Sequence, residues 1–184
     1  GPNDSDAGLY GNRPFRDIAY GLASNGIACL RYDKSSWLFP VYLSNNEKFT
    51  AWEETGRDVC SVVAYLNDIE KISSERVFLM GHSFGGNQLP RILDSIEVAG
   101  GLMVAGNARP LQTLLYEQME FLYGKDGIDD VDKRRLATLQ ERIERLETLR
   151  NENPAEFEGL LPFGLSPYYW KDIIMYDPVE TIMS

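Results

Sequence analysis

Histidine is nearly absent from this chain: 184 residues hold one, His82. Any chemistry that needs a second imidazole finds none within them. Cysteine is scarce as well, with only Cys29 and Cys60. Their spacing has no metal-ligand pattern. Cys29 sits in Gly26-Ile27-Ala28-Cys29-Leu30 and Cys60 beside Val59, Val62 and Val63, which predicts two small buried hydrophobes. Two such thiols neither require nor exclude an oxidising compartment. Basic residues are in deficit, 18 Lys and Arg against 28 Asp and Glu, for a net charge of −10. Phosphate binding wants a basic surface, so nucleic acid is not an expected partner, and an anionic membrane surface is disfavoured. No segment approaches the roughly 20 apolar residues of a membrane span, and no signal peptide is recognisable. The expectation is a soluble protein with no membrane span, no cofactor and no metal. Its compartment stays open, with the cytoplasm favoured.

What is present suffices for one domain with a real core. Residues 1–12 are polar and glycine-rich, hence loop. Pro14 to Asn25 reads as a helix, with proline in its first turn, Ile18, Ala19, Leu22 and Ala23 on one face, and Asn25-Gly26 as its stop. Gly26 to Tyr32 reads as a short buried strand ending near Arg31 and Asp33. Residues 34–52 read as irregular and aromatic, with Trp37, Phe39, Tyr42, Phe49 and Trp52. A helix follows from about Glu53 to Asp68, with Val59, Val62, Val63 and Leu66 at helical spacing. Then come a strand at Arg76–Met80, a helix at Asn87–Ser95, a strand at Val98–Ala105 and a helix at Leu111–Leu122. This alternation predicts an α/β fold, a mostly parallel sheet with helices on both faces. Sites in such sheets lie at the C-terminal ends of the strands, where Asp33, Ser83 and the loop Asn107–Arg109 fall.

Directly behind the apolar run Val77-Phe78-Leu79-Met80 stands Gly81-His82-Ser83-Phe84-Gly85, continued by Gly86. Gly-x-Ser-x-Gly between a strand and a helix presents a nucleophilic serine on a sharp turn. The chemistry expected is acyl transfer. Ser83 Oγ attacks an ester-type carbonyl, and backbone N–H groups hold the oxyanion, one of them from Phe84. The following helix adds its positive end. A histidine must take the serine proton and a carboxylate must orient it. His82 is excluded as that base because it adjoins the nucleophile and its side chain diverges from that of Ser83. Asp172 and Asp177 are available as acids, with no downstream histidine to orient.

After Pro110 the character changes. Residues 125–153 are dense in charge, with Leu136, Leu139, Ile143, Leu146 and Leu149 on one stripe and Glu141 and Arg145 spaced to pair. A surface helix packed on its own domain is preferred to a partner-binding coiled coil, the repeat lasting only about two heptads. Asp126, Asp129, Asp130 and Asp132 do not match a calcium loop and suit the start of a helix. Tyr168, Tyr169 and Trp170 read equally as pocket lining or as packing. Asn107, Arg109, Tyr168 and Trp170 are the candidate substrate contacts.

The chain resembles the α/β-hydrolase superfamily, and within it bacterial serine hydrolases of the dienelactone-hydrolase/acyl-esterase type. The resemblance rests on Gly1-Pro2-Asn3-Asp4-Ser5-Asp6, Gly26 to Lys34, Gly81-His82-Ser83-Phe84-Gly85-Gly86 and Ala105-Gly106-Asn107-Ala108-Arg109-Pro110. Asp33-Lys34-Ser35-Ser36 departs from the Asp-x-Arg-Gly of many relatives. The resemblance implies a serine esterase with a small-molecule acyl or ester substrate. It implies a chain truncated at both ends: 1–110 a partial hydrolase core, 111–175 a helical lid, and 176–184 a return toward a missing core that would carry the acid and the histidine. Such a piece is expected to show little or no turnover and to self-associate through exposed sheet edges. The alternative is a non-catalytic hydrolase-like binding module.

Overall fold

The computed structural model describes residues 4–8, 11–41 and 45–184. They fall into two compact units, divided between Asn46 and Glu47. Among the described residues no helix is long and apolar enough to cross a membrane.

In the first unit, helix α1 spans Pro14–Ala23, with proline at its start. Its stop is the expected one. Gly26 takes φ +78°, a region where a side chain would be strained, and the turn lets the Ile27 N–H reach the Leu22 carbonyl at 3.0 Å. The strand expected at Gly26–Tyr32 does not form. A strand requires a neighbour to pair with, and the described part of this unit offers none. Ile27 and Leu30 are accordingly 53% and 42% exposed. Cys29 is exposed rather than buried for the same reason. Polar contacts fix the segment's end instead: Arg31 pairs with Asp6, and the Ser5 N–H donates to Asp33 Oδ1 at 2.6 Å. The stretch expected to be irregular contains a short helix, α2, at Ser35–Leu38. Tyr42 and residues 1–3 of the first family-like stretch lie outside the described residues.

The second unit opens with α3, Ala51–Asn67, two residues before the expected start. A capping box sets that start. Thr50 Oγ1 accepts from the Glu53 N–H at 3.2 Å, and Glu53 Oε2 accepts from the Thr50 N–H at 2.9 Å. Val63 is buried, and Val59, Cys60, Val62 and Leu66 are half-buried. Strand β1 (Phe78–His82), helix α4 (Phe84–Ser95) and strand β2 (Gly100–Val104) follow. The two strands pair in parallel, Phe78 opposite Gly100 and His82 opposite Val104. Leu89 and Ile92 of α4 are buried. The helix lies so close to β2 that a Cβ on Gly101 would meet Leu93 Cδ1 at 2.7 Å. The architecture is thus α/β, with a two-stranded parallel sheet among the described residues.

Helices α5 (Leu111–Gly124), α6 (Asp130–Asn151), α7 (Pro167–Ile174) and α8 (Pro178–Met183) complete the unit. The leucine stripe of α6 faces inward: Leu136, Leu146 and Leu149 are buried, and Leu139 and Ile143 half-buried. Leu146 and Leu149 join Ala51, Leu161, Tyr169, Trp170, Ile173 and Ile174 in the main core. Burying each large apolar side chain there contributes roughly 1.5–3 kcal/mol. Asp129 caps α6, accepting from the N–H groups of Val131 and Asp132 at 2.7 and 2.8 Å. At the far end Lys171 Nζ satisfies the carbonyls of Leu149, Arg150 and Glu152 at 2.9, 2.6 and 3.1 Å. The expected Glu141–Arg145 ion pair does not form among the described residues. The helix pairs its charges at i,i+3 instead, as in Lys133–Asp130, Arg135–Asp132 and Arg150–Glu147.

Candidate active site

Ser83 is the single residue between β1 and α4, and its backbone is strained. It takes φ 54°, ψ −120°, a region that a residue with a side chain rarely occupies. Two bonds hold it there. Its N–H donates to the Val104 carbonyl at 2.9 Å, extending the ladder one residue past β1, and its carbonyl accepts the Asn87 N–H at 3.0 Å, opening the helix. Its hydroxyl caps nothing in α4, and the residue is exposed.

The glycines around it have different duties. A Cβ on Gly81 would stand 2.3 Å from the Gly85 carbonyl oxygen, so only glycine lets the helix fold back over the strand end. Gly86 and Gly106 pass backbone against backbone, a Cβ on Gly86 meeting Gly106 Cα at 2.9 Å. Gly85 has open space where a Cβ would go.

The expected boundaries shift here. The strand runs to His82, not to Met80, so His82 is a strand residue, and the helix begins at Phe84, not at Asn87. The reason is that Gly81 lies within the β1–β2 ladder and Ser83 alone makes the turn. The N–H groups of Phe84, Gly85 and Gly86 therefore form the first turn of α4, where no intrahelical carbonyl is in reach. That turn holds no acidic residue and no capping side chain. The helix presents an uncompensated positive end beside Ser83.

The loop after β2 is tied to the same helix. Asn87 Nδ2 donates to the Asn107 carbonyl at 3.0 Å, and Asn107 Nδ2 donates to the Arg109 carbonyl at 2.9 Å. Asn107 thus comes together with the sharp turn at Gly81–Gly86, the elbow that carries Ser83. Arg109 is turned to Glu117, with Nη1–Oε1 at 2.9 Å and Nη2–Oε2 at 2.8 Å. The hydrogen bonds from Arg109 hold the Glu117 carboxyl below the usual carboxylate range. Tyr168 is half-buried on α7. Trp170 is fully enclosed, its indole N–H donating to the Pro162 carbonyl at 3.0 Å. The Phe84 side chain packs against the core cluster that includes Trp170.

Beneath the elbow lies a network that sequence reasoning missed. Arg91 is bound to Asp172 and Gln88, and stacks on Trp52 and Tyr176 at 5.4 and 4.7 Å. Gln88 donates to Asn87 Oδ1 at 2.6 Å, and the Tyr176 hydroxyl donates to the Asn87 carbonyl at 2.9 Å. Asp172 also accepts the Trp52 N–H at 2.8 Å. Asp177 caps α8 through the N–H groups of Val179 and Glu180. Both carboxylates once available as catalytic acids thus have structural partners.

No protein-family model matches the chain, and no solved structure matches it. Among curated proteins, Esterase EstD of Thermotoga maritima is 32% identical over 180 residues. The aligned region covers 98% of this chain and 40% of EstD, so the chain spans about two fifths of the length of that relative.

Proposed function

We propose that Ser83 is the nucleophile of an α/β-hydrolase-type serine esterase, cleaving a carboxylic ester or related acyl compound. The observation that carries this reading is the backbone of Ser83, at φ 54° and ψ −120°. Such a conformation costs roughly 1–3 kcal/mol. Glycine would remove the strain, yet an exposed serine stands there, at the tip of a strand and the positive end of a helix. The identity with EstD supports an ester as the substrate class.

In the proposed mechanism Ser83 Oγ loses its proton as it bonds to the carbonyl carbon. The carbonyl electron pair moves to oxygen, and the Phe84 N–H holds that oxyanion. Collapse breaks the bond to the alkoxide, which leaves with a proton, and water then releases the acid from Ser83. The general base is proposed to be a histidine supplied by sequence outside these residues, with its orienting carboxylate, because His82 is the one histidine here. On this reading 1–110 and 176–184 belong to the hydrolase core and 111–175 form a lid. Asn107, Arg109 and Tyr168 border the acyl site, and Trp170 anchors the lid. Phe78, Leu102 and Met103, exposed on the two-stranded sheet, are expected to be covered by further strands or by a second copy. The 184 residues alone are expected to show little turnover.

Treatment of the full-length protein with a fluorophosphonate probe, followed by intact mass measurement, tests this. A single adduct that disappears in Ser83→Ala is the expected result. A folded full-length protein that takes no adduct overturns it. That outcome would favour the binding-module reading, which the lack of a second histidine motivates.

A further inference from the structure

A cleft of about 430 Å³ lies between α5, α6 and the turn at Pro162–Gly164, and none of its lining residues belongs to the elbow. It is a groove open to solvent, with a volume in the range of small-molecule sites. Arg134, Arg135, Thr138 and Arg142 reach it from one face of α6, at the three- and four-residue spacing that stacks side chains along a helix. Met119, Tyr123, Leu139 and Phe163 give it an apolar wall.

Three features set this cleft apart. The chain carries a net charge of −10, yet three arginines line this one cleft. Among the described residues only one of them pairs with a carboxylate. Arg135 pairs with Asp132 at 3.4 Å and lies 5.9 Å from the Tyr123 ring centroid, whereas Arg134 and Arg142 have no carboxylate partner among the described residues. Phe163, in the cleft wall, is 51% exposed and takes φ 57°, a strained conformation for a bulky residue.

We infer that this cleft binds an amphiphilic carboxylate, an anion of the medium-chain fatty acid class. Arg134 and Arg142 lie two turns, about 12 Å, apart on α6, so both draw the anion in by charge and the guanidinium that it reaches holds it through forked N–H donors, a geometry that ammonium does not match. The alkyl chain lies along Met119, Tyr123, Leu139 and Phe163.

Calorimetric titration of the full-length protein with octanoate, and separately with octan-1-ol, tests this. Octanoate is expected to bind at least tenfold more tightly than the alcohol. The double variant Arg134→Gln/Arg142→Gln is expected to lose at least tenfold in octanoate affinity with an unchanged circular dichroism spectrum, and Arg150→Gln, on the same helix but outside the cleft, to lose nothing. Should the double variant fail to fold, the two single variants decide, each expected to lose at least threefold. Octanoate binding that ignores both arginines, an alcohol that binds as well as the acid, or no octanoate binding at millimolar concentration would each overturn the inference. Because the readout is binding, the result does not depend on whether Ser83 reacts with a phosphonate.

Discussion

Arg91 grips Asp172 with both arms of its guanidinium, Nη1 to Oδ1 at 2.9 Å and Nη2 to Oδ2 at 3.0 Å, across 81 residues of sequence. The pair ties α4, which Ser83 opens, to α7, and through the Trp52 N–H to the start of α3. The Arg91 side chain is only 14% exposed. Asp172→Asn would leave that charge without its counterion and is expected to lose about 3 kcal/mol in denaturant unfolding. Replacing both, as Arg91→Met/Asp172→Leu, removes the charge as well as its partner and should lose less than the single variant. A double variant weaker than Asp172→Asn would contradict this account.

The Tyr169 hydroxyl donates to the Glu54 carboxylate, which is 7% exposed. Burial first, and the Glu54 charge second, push the hydroxyl well above its ordinary value of 10.0. Below about pH 10 both folded and unfolded chains keep this proton and the stabilisation is complete. Above it the unfolded chain loses the proton first, and stability falls as pH rises. Denaturant midpoints at a series of alkaline pH values should therefore drop more steeply for the parent than for Tyr169→Phe. At neutral pH that variant should be weaker by about 1–3 kcal/mol, for loss of the hydroxyl donor to a buried carboxylate.

The glycines of the elbow are expected to separate sharply. Gly81→Ala would drive a methyl into the Gly85 carbonyl and should prevent the strand and helix from closing. Gly85→Ala adds its methyl to open space in the first turn of α4 and should be neutral or gain up to about 1 kcal/mol. Thermal melts of the two variants read this, and equal losses would show that the motif glycines share one role.

Ser83→Gly should melt higher than Ser83→Ala. Glycine relieves the positive φ, by about 1 kcal/mol, whereas alanine keeps the Cβ that makes it costly. Both variants should lose all phosphonate labelling. Equal melting temperatures would mean that the turn is not under strain.

What was legible in the sequence was local. Gly81 to Gly86 announces a sharp turn through glycine spacing alone, and Pro14 and Gly26 bracket α1 through rules of helix ends. The start of α3 is also written, in the capping pair Thr50-x-x-Glu53, two residues ahead of where the valine spacing alone puts it. The segment Gly26–Tyr32 misled because an apolar run states a wish for burial, not the presence of a neighbouring strand. Arg91 and Asp172 carried no signal, since a charge in a helix is commonplace and only the fold brings these two together. Arg134 and Arg142 were equally silent, their spacing being that of any charged helix face.

The parallel ladder from Phe78 to Val104 has a kinetic consequence. Strand, turn, helix and strand are consecutive, so the contacts that bend Ser83 close over short loops, while those joining Glu54 to Tyr169 and Arg91 to Asp172 close over much longer ones. Short loops close at lower entropic cost. The turn should therefore form ahead of the network beneath it. Comparing how Leu89→Ala and Trp170→Phe divide their effects between folding and unfolding rates reads that order, with the larger effect on folding expected from Leu89.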